Sequence, residues 1–202
     1  HYRDRRQRQM CIRDSLKYHE KDDIDFKYKN PFKTKTLEYL LFEKCWIDTV
    51  QWHLEDIIRK PNLSPKIALE IKKRIDISNQ NRTDIVEKID DYYFNIFKTI
   101  KTQNNKINTE SPGWVVDRMS ILCLKIYHMN EQILRENVAE DHIENCNKKL
   151  IILNTQQKDL SNSFDELLKD YEKGIKIIKV YRQMKMYNDS SLNPELYRKS
   201  NI

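Results

Sequence analysis

A chain of 202 residues with 34% charged residues, two glycines and five prolines can bury one sizeable core and leaves little room for tight turns. Its formal charge of +6 would favour a polyanion partner, but Arg3, Arg5, Arg6, Arg8 and Arg13 face only Asp4 and Asp14 in residues 1–15, and the rest holds 32 basic against 29 acidic residues, a net of +3. No apolar run approaches the roughly 20 residues of a membrane span. Cys45, Cys123 and Cys146, odd in number and widely spaced on apolar helical stripes, read as small core residues in a reducing compartment and not as a disulfide framework, so a cytoplasmic protein is expected, with neither membrane nor nucleic acid as partner.

Residues 1–15 lack apolar periodicity and look like a non-native leader, such as translated adaptor DNA; the alternative is a basic arm for nucleic acid or membrane. Residues 16–34 read as a short polar helix or arm ending at Asn30-Pro31. Helices are expected near 35–60, 65–101, 112–137 and 141–187. Ser64-Pro65 and Ser111-Pro112 serve as start signals, and Gly174 marks a bend. The short connections favour antiparallel neighbours, hence an all-α, elongated antiparallel four-helix bundle with two long overhanging helices. This single helical domain would span 16–189, with an irregular tail over 190–202. Overhang would expose Tyr93, Phe97, Ile100, Leu160, Phe164 and Leu167, and so implies a homodimer through the long helices unless the N-terminal segment covers them.

Polar residues at core-facing positions carry the functional signal. On the first helix, Lys44, Asp48, Gln51 and Glu55 form a stripe between two apolar shoulders, with Leu40, Ile47 and Leu54 on one side and Leu41, Cys45 and Trp52 on the other. On the second, Ser78, Asn79 and Arg82 interrupt the apolar stripe. The third mixes Asp117, Arg118, Lys125 and His128 with large apolar residues. At 1.5 Å per residue, Asp48, Ser78, Asn79, Lys125, His128 and Asn154 fall at one level of the bundle. Buried polar groups are costly unless paired, so this layer predicts either a structural network or a ligand site. Asp48 should pair with Arg82 or Lys125, with His128 and Glu55 lining the same space.

Known chemical signatures are sparse. His53 and Glu55 diverge by about 200° around a helix and cannot share an ion. His128 and Glu131 add no complete ligand set, so no metal site is expected and the cofactor is unknown. Glu87 and Asp90 form one Glu-x-x-Asp pair of the kind that holds magnesium in helical pyrophosphohydrolases, without its Glu-x-x-Glu counterpart. The basic run Lys173, Lys176, Lys179, Arg182 and Lys185, with Tyr181 and Tyr187, reads as a solvated face near a helix end, the alternative being a surface for phosphate or nucleic acid. Trp46 and Trp52 read as packing.

Four separated stretches, at 46–59, 74–84, 117–128 and 179–189, resemble the bacterial family catalogued as domain of unknown function 4254. The resemblance covers about residues 16–197 and implies an all-α cytoplasmic protein, with no activity attached. Two readings follow from the residues. One is a site for a small anionic ligand, phosphorylated or a sugar nucleotide, formed by Lys44, Asp48, Gln51, Glu55, Asn79, Arg82, Asp117, Arg118, Lys125 and His128. The other is a non-catalytic adaptor or dimerising scaffold whose polar layer is only structural.

Overall fold

The computed structural model describes residues 24–25, 29–103, 106–186 and 189–198. The leader over 1–15, and most of the expected arm after it, lie outside the described residues. Four principal helices are present: α1 (Leu37–Ile58), α2 (Pro65–Phe97), α3 (Pro112–Ile133) and α4 (Glu140–Glu172); a single turn, α5 (Pro194–Tyr197), lies in the tail otherwise read as irregular. The described residues contain no strand. Short connections join α1 to α2 and α3 to α4 as hairpins. The hairpins meet through α2 on α3 and α1 on α3.

Local chemistry sets the starts. The Thr36 side chain accepts from the Tyr39 backbone N–H at 3.2 Å, and the Ser64 side chain accepts from Ile67 ahead of a proline in the first turn of α2. The third helix is capped differently from the expected serine motif. Ser111 gives no side-chain cap; its hydroxyl instead donates to Asp90 Oδ2 at 2.6 Å, and the Gly113 N–H donates to Asp90 Oδ1 at 2.6 Å. A carboxylate from α2 thus serves the orphan donors of α3. Gly113 permits the approach, because a Cβ there would sit 2.4 Å from the Val86 carbonyl oxygen.

The fourth helix stops at Glu172 rather than near 187. Gly174 adopts a left-handed φ of 65°. The Ile175 N–H bonds the Asp170 carbonyl and the Gly174 N–H bonds the Tyr171 carbonyl, which together form a Schellman stop. Helical periodicity beyond this point is real in the sequence, but glycine at the left-handed position ends the helix before it can be used. The chain then runs on without helix and is tied back to the bundle: the Gln103 N–H donates to the Gly174 carbonyl, and the Ile177 N–H to that of Lys106.

That strap also corrects the expected apolar overhang. The long helices have 33 residues each and the short pair 22. Yet Tyr93, Phe164 and Leu167 are buried, and Phe97 and Leu160 are half-buried; of the six residues expected outside, only Ile100 is exposed. Ile178 of the strap is buried in the same cluster, with Val180 packed against it. The apolar stripe that motivated a dimer is therefore covered by the chain itself.

Two apolar clusters bracket a polar layer along α1 and α2. The main core gathers Leu37, Leu40 and Leu41 of α1 with Ile85, Ile89 and Tyr93 of α2, plus partners from α3, α4 and the strap. A smaller cluster of Leu54, Ile71 and Ile75 closes the α1–α2 hairpin, with Ile24 packed on it. Between Phe42 and Leu54 on α1, and between Ile75 and Ile85 on α2, the buried positions turn polar.

Candidate functional site

The polar layer is built on Lys44 and Asp48, one turn apart on α1. Both are essentially inaccessible, at 0% and 1% exposure, and their side chains form an ion pair. The Lys44 ammonium also reaches Asp117 Oδ1 of α3 at 3.0 Å. Arg82 of α2 completes the set. Its Nε and Nη2 donate to the two oxygens of Asp117 at 2.7 and 2.6 Å, a bidentate fork, and its Nε lies 3.4 Å from Asp48 Oδ1. Two cations and two carboxylates from three helices therefore cancel, which is the condition for burying them.

The two carboxylates are not equivalent. Burial pushes the Asp48 carboxyl above its usual range against the pull of Lys44. Burial also pushes Asp117 upward, but the Lys44 charge and the Arg82 fork together outweigh it and hold Asp117 below its usual value. For Arg82, burial disfavours the charged form, and the hydrogen bonds it donates to Asp117, with the charge of that carboxylate, overcome it and raise its pKa. Ser120, one turn beyond Asp117, helps hold the Asp48 charge and lies 3.8 Å from the Cys45 sulfur.

Neutral polar groups extend the layer. The Gln51 amide donates to Asn79 Oδ1 at 2.8 Å and accepts from the Ser78 hydroxyl at 3.0 Å. The strap arrives here too: the Lys185 ammonium donates to the Asn79 carbonyl at 2.9 Å, and the Thr83 hydroxyl lies 3.1 Å from Gln183 Oε1. Arg182 is held by Glu87 and Asp91. Lys176 pairs with Asp170 at 2.9 Å. Much of the basic run thus fastens the strap instead of forming a solvated helix face. Glu87 and Asp90 hold different partners, so the Glu-x-x-Asp pair makes no common site, and among the described residues no group of three or more His, Cys, Asp or Glu is arranged to hold a metal ion.

Over the quartet opens a cleft of about 300 Å³, lined by Asp48, Gln51, Trp52, Glu55, Asp56 and Arg59 of α1 and its C-cap, Arg82 of α2 and Ile121 of α3. Helical spacing puts the six α1 positions on one side of that helix. The cleft floor is neutralised by the quartet, and at its rim Glu55 pairs with Arg59 at 2.6 Å. The arrangement offers hydrogen bonding and charge recognition. Among the described residues no cysteine lines the cleft, and on α3 burial pushes the Cys123 thiol up to about 12.

Of the ten residues expected at the site, Lys44, Asp48, Arg82 and Asp117 form the quartet, Gln51 and Glu55 line the cleft, and Asn79 is bonded to Gln51. His128 approaches from behind: its ring stacks on Trp52 with centroids 4.5 Å apart. Arg118 and Lys125 are corrections. Both are exposed, and Arg118 pairs with Glu110 at 2.9 Å. Seven residues apart, they share one side of α3, about 100° from Asp117, whereas His128, eleven residues on, returns to the Asp117 side. Asn154 is exposed as well, so α4 adds nothing from its expected member; its main packing is against α3. Ser120, Trp52, Asp56, Arg59 and Ile121 were not anticipated at the site. Spacing alone could have found Ser120 and Trp52, one turn from Asp117 and Asp48 respectively.

No helix of the described residues is long and apolar enough to cross a membrane. No curated protein and no solved structure matches the chain. Residues 38–180, which hold α2 to α4, all of α1 but its first residue and every member of the polar quartet, match one family model, and the chain belongs to that family, described as Protein of unknown function (DUF4254).

Proposed function

We propose that the cleft above the Lys44–Asp48–Arg82–Asp117 quartet binds a small phosphorylated ligand, with Arg82 as the anion-recognising group. The observation that carries this reading is the one-sided use of Arg82. Its fork spends two of five N–H donors on Asp117, and the side chain keeps 28% exposure at the cleft wall. The buried quartet then acts as a rigid base that orients the guanidinium. Arg59 supplies a second cation, because an exposed pair such as Arg59–Glu55 is worth only about 0–1 kcal/mol and yields readily to a ligand. Glu55 and Asp56 accept hydrogen bonds from ligand hydroxyls. A volume of about 300 Å³ lies at the small end of ligand pockets and fits a sugar phosphate better than a whole sugar nucleotide.

A thermal-shift screen with sugar phosphates, nucleotides, inorganic phosphate and divalent metals tests this. A binder at a hundred times its Kd adds about 2.7 kcal/mol to stability, a rise of roughly 5–11 °C for a chain of this size. Arg82→Gln should abolish the shift. A panel without any shift, or a shift that survives Arg82→Gln, refutes the reading.

A second reading, a non-catalytic adaptor or scaffold, is favoured by the inaccessibility of Lys44 and Asp48, which suits a network that only holds α1, α2 and α3 in register. Under it the long helices recruit a partner protein or a second copy, light scattering would give a dimer mass, and no small molecule would move the melting temperature. A reducing, cytoplasmic setting agrees with Cys45, Cys123 and Cys146 forming no disulfide among the described residues.

A further inference from the structure

Trp52 differs from the other residues of the cleft in being held from behind. His128 of α3 lies against it almost parallel, at an interplanar angle of 10°. His128 Nδ1 is in turn 2.6 Å from Glu131 Oε2, which fixes the imidazole in its plane. Tyr127 and His53 meet the same imidazole edge-on, at 5.2 and 6.3 Å. One indole face is therefore occupied, and the remaining face and edge are what Trp52 can present to the cleft it lines. An indole immobilised in this way loses no rotamer freedom when a ligand lies on it, and its electron-rich face attracts the partly positive C–H groups of a ring.

We propose that Trp52 is the stacking wall of the site and that the ligand is a monosaccharide phosphate, its ring on the indole and its phosphate at Arg82, with His128 as a positioning residue acting through Trp52. This deepens the reading of the cleft as a phosphate-ligand site and rests on it. The ring chemistry follows from the neighbours: Glu55 and Asp56 supply carboxylate acceptors beside the indole, matching a ring that carries a hydroxyl donor on most of its carbons.

The test is calorimetric titration of the full chain with glucose 1-phosphate, glycerol 1-phosphate and AMP. Glucose 1-phosphate should bind at least about ten-fold more tightly than glycerol 1-phosphate, a difference of about 1.4 kcal/mol. Trp52→Leu should erase that ratio by weakening glucose 1-phosphate far more than glycerol 1-phosphate, and Trp52→Phe, which keeps a smaller ring, should leave an intermediate ratio. His128→Ala should lower the ratio and His128→Phe restore it, a pattern that loss of folding alone would not produce. If glycerol 1-phosphate binds through Arg82 with no preference for the sugar, or AMP binds more tightly than glucose 1-phosphate, this proposal falls and the phosphate site stands. If none of the three binds, both fall.

Discussion

Replacing Lys44 with methionine keeps an unbranched apolar stem and deletes the ammonium between Asp48 and Asp117. The wild-type group makes two charge-assisted contacts, to Asp48 and to Asp117 at 3.0 Å, and has no exposed surface through which water could replace them. At about 1.5–3 kcal/mol each, their loss amounts to roughly 3–6 kcal/mol, in line with the 3–5 kcal/mol typical of an orphaned buried charge. For a chain of this length a loss of roughly 3–6 kcal/mol is a fall in melting temperature of about 6–24 °C. The deficit should depend on pH with a definite sign. Without Lys44 the opposing pull on Asp48 is gone, so its carboxyl, already raised by burial, rises further from the ordinary 3.8 toward neutrality. A carboxyl whose folded pKa is raised gives stability that is present below the unfolded value and lost as pH rises through the folded one. Urea midpoints of Lys44→Met should therefore approach wild type on acidification from pH 7 to pH 4.5. Lys44→Met/Asp48→Leu should recover most of the loss at pH 7, since no unpaired carboxylate remains opposite the methionine. A deficit under about 1 kcal/mol, or one equal at both pH values, would refute the account of a dry, mutually dependent quartet.

Asp117 should behave in the opposite sense. Its folded pKa lies below 3.8, so its contribution is present above that value and lost as pH falls through the folded pKa; Asp117→Asn should be more destabilised at pH 7 than at pH 2.5 when urea midpoints are compared with wild type. Gly174→Ala forces a left-handed backbone on a residue with a Cβ and places that Cβ 2.3 Å from the Lys101 carbonyl oxygen; calorimetry should show a loss of at least about 1–3 kcal/mol, and an unchanged melting temperature would mean the Schellman stop does not hold. Ile178→Ala should cost about 2–5 kcal/mol and open the strap to hydrogen exchange, whereas a change near zero would show that the strap does not cover Tyr93 and Phe164.

Much of the candidate site was legible in single-helix terms. Lys44, Asp48, Gln51 and Glu55 fall on one stripe of an otherwise apolar helix, and Ser78, Asn79 and Arg82 break the stripe of the next. A chain does not place charges between apolar neighbours at that spacing unless something answers them. The third helix was harder to read. Asp117 and Arg118 are adjacent and opposite in charge, yet only the first points inward; the 100° step between them separates a quartet member from a surface pair. The value of Trp52 was invisible for a related reason, since the residue that holds it, His128, is 76 positions away and an apolar shoulder looks the same whether it meets a core or a cleft.

The four principal helices, the starts at Ser64 and Pro112, the absence of a membrane-length run and the polar character of the central layer follow from the order of residues, because each rests on interactions within about one turn of chain. Tertiary structure alone decided the rest. Asp90, not Ser111, serves the first donors of α3, since a carboxylate of the neighbouring helix accepts from the Gly113 N–H and takes up the Ser111 hydroxyl as well. The segment after Gly174 is a strap and not a continued helix, because the left-handed glycine fits against the Lys101 carbonyl and Ile178 finds a seat in the core. And Arg82, rather than Lys125, meets the buried carboxylates, because partner choice among distant charges depends on which helix faces are turned toward each other, and that is set by the packing of all four helices at once.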